Sequence, residues 1–351
     1  MGTACTHSCG TASGVEEAWL QGIRDLGELE EQDAAQASDA ASPRESSLRD
    51  QLSTLTHQLG PGHPETLSCA NKLAVLKQGK GDFQAAEQLH RQILEQRVWA
   101  YGDEHRDTAL TRNNLALALH ARGRPLEAEA MSRQVLDWRE RHLGPHHPDV
   151  LTSVNTLAGI LKAKSSYAEA ELLYRRALEG REATLGPSHW ATLLSANNLA
   201  ALLQAVGRVK EAEPLFSRVL EAKKELSEDH DQQSVATSQE NLGMLLKAMG
   251  RLYEAEQLLS AAMEIRSREL DVWHPQRLAC AHKFGNLLKV MGHYEDAEAF
   301  LRRALEGRQA VLGLDNPETL TSMSEHAMVS YLMGRRKEAL AEMEQAWVRK
   351  E

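Results

Sequence analysis

Asparagine recurs in this chain at a spacing that could do chemistry. Asn71, Asn113, Asn155 and Asn197 stand 42 residues apart, and the register continues through Glu240, His282 and Ser324. Asn114, Asn198 and Asn241 occupy the adjacent column. Asparagine is a mediocre helix former, so local stability does not account for its return. Its amide donates and accepts together, which suits the backbone of an extended peptide. The structural alternative is a bridge to the neighbouring helix, and with two asparagines in a repeat both roles are open. Seven residues beyond the first column runs another: Gln78, His120, Lys162, Gln204, Lys247, Lys289 and Tyr331. Seven residues is about two helical turns, so the two columns share a face. Lys162, Lys247 and Lys289 then project beside the amides and could hold carboxylates by charge-assisted hydrogen bonds. The alternative is that they are ordinary solvated helix positions.

Other chemistry finds no constellation. Gly79-Lys-Gly81 sits in a turn that returns as Gly123-Arg and Gly207-Arg, and the phosphate-loop pattern is absent. Cys5, His7 and Cys9 offer three ligands with no second pair to close a tetrahedral zinc site. Cys69 and Cys280 fall in expected helices without a positioned base. His63, His105, His147, His189 and His274 form one column just ahead of a helix start, where a residue recurring with the fold packs or caps the junction. Catalysis needs one distinct site, whereas these histidines are distributed repeat by repeat. No enzyme, cofactor or metal site is therefore expected.

The elements that must position these columns are legible in the punctuation. Gly81, Gly123, Ser165, Gly207, Gly250, Gly292 and Gly334 are separated by 42, 42, 42, 43, 42 and 42 residues. Five residues after each stands an alanine: Ala86, Ala128, Ala170, Ala212, Ala255, Ala297 and Ala339. Glutamate follows the alanine in the first six, and Leu340 breaks the rule in the seventh. Apolar residues take helical spacing twice per repeat, as in Leu193, Leu199, Leu202, Leu203 and then Leu215, Phe216, Val219, Leu220. Pro64, Pro148, Pro275 and Pro317 suit helix starts, and Gly60, Gly102, Gly144, Gly186 and Gly313 suit helix ends. Each repeat is thus two antiparallel helices that bury their apolar faces only by stacking on neighbours. The expected fold is all-α: a right-handed α-solenoid of seven helix-turn-helix repeats over 59–351. Ser165, in place of a turn glycine, should cost some stability if it takes positive φ. Leu226-Ser-Glu-Asp-His-Asp-Gln-Gln233 carries the extra residue and should change the local geometry. Ser324, Glu325 and His326 give the last repeat the polarity of a solenoid cap.

The pattern resembles tetratricopeptide repeats (TPR) of the 42-residue type, as in kinesin light chains and nephrocystin-like proteins. The residues that carry the likeness include Leu185-Gly-Pro-Ser-His189, Asn197-Asn-Leu-Ala200 and Leu172-Leu-Tyr-Arg-Arg-Ala-Leu178. The resemblance implies a non-enzymatic adaptor whose concave groove takes partner segments, in settings such as cargo attachment to a microtubule motor or a ciliary or membrane complex. Trp190 and Trp273 stand at repeat junctions as partner anchors or as gap fillers.

The N-terminal region differs in kind. Residues 1–58 carry 3 basic and 10 acidic side chains, a net −7 of the chain's −10. We expect a flexible tail at 1–14, an acidic amphipathic segment at 15–32, a linker at 33–47 and a capping helix at 48–58. Leu48, Leu52, Leu55 and Leu59 align with the second helix of a repeat. Val15, Trp19, Ile23, Leu26 and Leu29 share a helical face among acids, and the expected role is a short amphipathic helix that packs on the solenoid or frays in solvent. The resemblance implies an alternative, a self-ligand within 12–34, since grooves of the kinesin-light-chain kind accept tryptophan flanked by acids; Ala18 departs from that pattern. Met1-Gly-Thr-Ala-Cys-Thr6 fits N-myristoylation at Gly2, with Cys5 or Cys9 as further acylation sites. One acyl chain binds membranes marginally, so a second signal is needed.

Composition narrows the setting. The 351 residues hold 40 Lys+Arg against 50 Asp+Glu, with a pI near 5.9, which disfavours a nucleic-acid partner. No apolar run approaches the roughly 18 residues of a membrane span, and no secretory leader pattern is present. Four cysteines are too few and too scattered for a disulfide framework. The expected partner is a protein or peptide segment, acidic by the lysine column, in a cytoplasmic setting associated with cytoskeleton or, with acylation, membrane. The alternatives are an acylated membrane-tethered scaffold and a regulatory repeat fragment of a larger enzyme.

Overall fold

A computed structural model describes residues 43–226 and 232–349, which form fifteen helices and no strand. Gly2, Cys5 and Cys9, the expected segments before residue 43 and residues 227–231 therefore lie outside the described residues. The described chain divides into two compact units, 43–202 and 203–349. The first holds α1 (Pro43–Leu59), α2 (Pro64–Gly79), α3 (Phe83–Tyr101), α4 (Arg106–Ala121), α5 (Pro125–Leu143), α6 (Pro148–Ala163) and α7 (Tyr167–Leu185), and the boundary falls within α8 (Trp190–Ala205). The second continues through α9 (Val209–Leu226), α10 (Gln232–Ala248), α11 (Leu252–Glu269), α12 (Pro275–Met291), α13 (Tyr294–Leu312), α14 (Pro317–Leu332) and α15 (Arg336–Val348). Within each unit, helices pack on their sequence neighbours, and α2 also touches α4 as α10 touches α12 and α12 touches α14. This is the stacking of helix pairs that a solenoid requires.

The histidine column caps first helices. Nδ1 of His63, His105, His147, His189 and His274 accepts from the backbone N–H two residues on, at 3.2–3.3 Å. A ring nitrogen that faces an N–H in this way serves as the acceptor a helix start requires. Asn316 performs the same task through Oδ1, 2.9 Å from the Glu318 N–H. The alanine column is fully buried, from Ala86 to Ala339, which lets paired helices approach closely. Ser165 takes φ 62°, the one non-glycine residue with positive φ among the described residues.

The glutamate after the alanine takes up the basic residue of the next turn. Glu87 pairs with Arg122 and Arg124, Glu129 with Lys164 at 2.5 Å, and Glu213 with Arg251. Glu45, one repeat before Glu87, does the same with Lys80 at 2.9 Å and adds Lys77 at 2.9 Å. Hydrogen bonds from Lys77 and then Lys80 hold its carboxyl down to about 2. This anchor explains why α1, expected from 48, begins at Pro43: its first turn is tied to α2 and the turn that follows it. In the last repeat, Glu325 pairs with Lys289 and His326 Nδ1 meets Glu342 at 2.9 Å, so both are engaged within the fold.

Candidate functional site

The first helices of the pairs carry both polar columns. In the first unit, Asn114 Nδ2 donates to Asn71 Oδ1 at 3.4 Å, and Asn198 Nδ2 donates to Asn155 Oδ1 at 3.3 Å. Ser195 Oγ donates to the same Asn155 oxygen at 3.5 Å. These asparagines bridge consecutive first helices, which answers the structural alternative for two pairs. Asn113 is buried, and its Nδ2 has no hydrogen-bond partner. Asn197 and Asn241 are partly buried.

Lys162 stands apart from the other two lysines of its column. It lies one residue before the end of α6, half-buried, and its Nζ makes no hydrogen bond or ion pair among the described residues. Burial alone pulls its pKa down to about 8. The only other charge on α6 is Asp149, thirteen residues away, roughly 20 Å along the axis. On α4, the ionisable group at the same end is His120, itself shifted down by burial. Trp190–Leu202 of α8 contains none. Around the C-terminal half of α6 and the facing stretch of α8 the first-helix face is therefore amide-lined and nearly neutral, with Lys162 as its one desolvated cation.

The second unit answers its own charges. Lys289 pairs with Glu325, and Lys247 Nζ donates to the Asn286 carbonyl at 3.2 Å. Burial, then Lys289, lowers the Lys247 pKa. Glu240, standing in the asparagine column, is 2% exposed and held by Arg266 at 3.1 Å and Lys283 at 2.6 Å. His282, in the same column, meets Asn286 Nδ2 at 3.1 Å and Ser322 Oγ at 3.3 Å. Burial and the nearby Arg308 charge bring His282 down to about 3. Trp190 and Trp273 are both about half-exposed, and Trp273 packs over Gly307, where an added Cβ would come 2.7 Å from its ring.

One column escaped the sequence reading. Arg97, Arg139, Arg181 and Arg308 are buried on second helices. In each, Nη1 donates to the carbonyl ten residues on, at 2.8–3.3 Å, and to the hydroxyl fourteen residues on, at 2.7–3.0 Å. This staples one repeat to the first helix of the next. Arg266 stands in the same register, but the residue fourteen on is Cys280, whose sulfur is a weak acceptor. Its guanidinium turns instead to Glu240, and to Thr237 Oγ1 and Gln276 Oε1 at 2.8 Å each. The signal was available, since these arginines recur at the period of the glycines.

Stacked helix pairs joined by such staples, with a polar first-helix face, define a helical-repeat binding scaffold. The tetratricopeptide repeat family matches over residues 107–183, 149–225, 234–310 and 277–346, with a further match at 66–107. The chain belongs to the tetratricopeptide repeat family. Among solved structures it is similar to BtubC (BKLC) from P. vanneervenii, at 25% identity and a TM-score of 0.55, covering 66% of this chain and 92% of that one. It is also similar to a putative kinesin light chain from P. anserina with nearly identical TPR-like repeats, at 29% identity and a TM-score of 0.51, over 59% of this chain and 97% of the other. The quorum sensor NprR from B. thuringiensis shares the fold at 15% identity and a TM-score of 0.67, over 98% of this chain and 90% of that one. No curated protein sequence matches. None of the described helices is long and apolar enough to cross a membrane.

Proposed function

We propose that this protein is a non-enzymatic adaptor that binds an extended, carboxylate-bearing segment of a partner protein along α4, α6 and the part of α8 before the unit boundary. The observation that carries this reading is Lys162, a desolvated cation without a partner on a face otherwise lined by amides. A desolvated ammonium gains more from an incoming carboxylate than a solvated one does, because part of its hydration has already been given up. The surrounding amides suit the backbone of the same segment. The likeness to a kinesin light chain supports a cargo-type adaptor in a cytoplasmic, cytoskeleton-associated setting. The fold is also that of NprR, which has been solved with its cognate peptide NprX.

The structure redistributes the three lysines of the column: Lys247 and Lys289 have partners of their own, so Lys162 is the cation this proposal uses. The test is binding of the full chain to an array of acidic, neutral and basic peptides, with Lys162→Glu beside wild type. We expect acidic peptides to be preferred and Lys162→Glu to abolish that preference, whereas Lys289→Gln leaves most of it. Equal binding by wild type and Lys162→Glu would refute the assignment.

A further inference from the structure

Glycine within a helix is less stable than alanine, so each interior glycine invites a reason. For Gly180, Gly285 and Gly307 the reason is packing: an added Cβ would lie 2.5, 2.8 and 2.4 Å from the side chains of Leu151, Leu301 and Leu278. Gly159 in α6 has no such reason. A Cβ there would meet only the Tyr174 hydroxyl, at an ordinary contact distance of 3.4 Å. The same register position carries a side chain in every other repeat: Val75, Leu117, Ala201, Met244, Asn286 and Met328.

Gly159 lies four residues after Asn155 and three before Lys162, so all three share one face of α6. Lys162 is half-buried and unpartnered. Tyr174, on α7, is 4% exposed, and its hydroxyl makes no hydrogen bond among the described residues. Burial pushes its pKa up, so it stays a donor at any physiological pH. Two hydrogen-bond donors without a protein acceptor therefore flank a position where the backbone is bared without a packing need. Both are open to an incoming acceptor, which would meet an ammonium and a hydroxyl together.

We infer that Gly159, Lys162 and Tyr174 form a subsite for a single carboxylate of the bound segment. The missing Cβ lets the ligand approach the helix closely, while the ammonium and the hydroxyl supply its donors. The neutral stretch around Lys162 makes the subsite specific for one carboxylate rather than for a run of acids. This inference rests on the peptide-binding reading above and deepens it.

The experiment uses the full chain and a library of amidated decapeptides, each with one glutamate. Selected binders are then remade with glutamine in its place. On wild type the exchange should weaken binding at least tenfold, and on Lys162→Gln by less than twofold. Gly159→Ala should lower affinity for the glutamate peptides at least tenfold and yet raise Tm by about 2–4 °C, since alanine favours the helix. Tyr174→Phe should lose three- to tenfold in affinity without loss of Tm. Peptides that bind Gly159→Ala and Tyr174→Phe as well as wild type would overturn the subsite and leave the peptide-binding reading intact. A fall in Tm for Gly159→Ala would make the glycine a packing requirement and overturn the inference too. If no peptide of the library binds wild type, the peptide-binding reading itself fails, and the subsite with it.

Discussion

His90 offers the most direct test of the physical reasoning. It sits on α3 in a column filled by Ser132, Tyr174, Phe216, Leu259 and Leu301 in the following repeats. Its side chain is fully buried, and neither ring nitrogen has a hydrogen-bond partner. Burial, aided by the Arg97 charge, brings its pKa from 6.5 down to about 4. The folded value lies below the unfolded one, so the unfolded chain binds more protons between them. Stability from this group is therefore complete above pH 6.5 and is lost as pH falls toward 4. Linkage puts the loss at about 2 kcal/mol at pH 5 and about 3 kcal/mol below pH 4. His90→Phe removes the titrating group and two unsatisfied buried nitrogens, and Phe216 shows that the column accepts the ring. The variant should gain about 1–2 kcal/mol at pH 7.5. Repeat proteins need not unfold in one step, so a local probe is required. Hydrogen exchange of α2 and α3 amides, corrected for intrinsic rate, should show wild type losing roughly 30-fold protection between pH 7.5 and 5. His90→Phe should retain most of that protection. An equal loss in the variant would refute the account.

Two further outcomes follow from the repeat joints. Glu240→Gln leaves Arg266, 1% exposed, without its countercharge. It should cost the 203–349 unit about 3 kcal/mol, read as a lower urea midpoint. Adding Cys280→Ser should restore part of it, because serine supplies the hydroxyl that the other staples use; an unchanged midpoint in Glu240→Gln would contradict the buried-pair account. Ser165→Gly relieves a non-glycine residue held at φ 62°, and should stabilise by about 1 kcal/mol. A lower Tm in that variant would show that the serine side chain contributes more than its backbone strain removes.

The period and the paired helices followed from the amino-acid sequence alone, as did the placing of the histidine column at helix starts, where it would pack or cap. Each is a local rule repeated at a constant interval: helix periodicity, a capping group ahead of a start, a glycine where φ must turn positive. Repetition makes such rules visible because every copy of the unit meets the same environment. The buried arginine staple was periodic too, interrupted at Lys223, and the count that revealed the glycines applies to it as well. The roles of the lysines were of another kind. Lys162, Lys247 and Lys289 are equivalent in register, yet Glu325 and the Asn286 carbonyl engage two of them and leave the third bare. Asn114 and Asn198 became bridges because the next first helix brings an acceptor within reach. Gly159 reads as one more small residue until the Tyr174 hydroxyl is placed beside it. Sequence sets which residues face the same way, because that depends on helical pitch. Which of them are paired, desolvated or free depends on distances of about 3 Å between different helices, and only tertiary packing decides those.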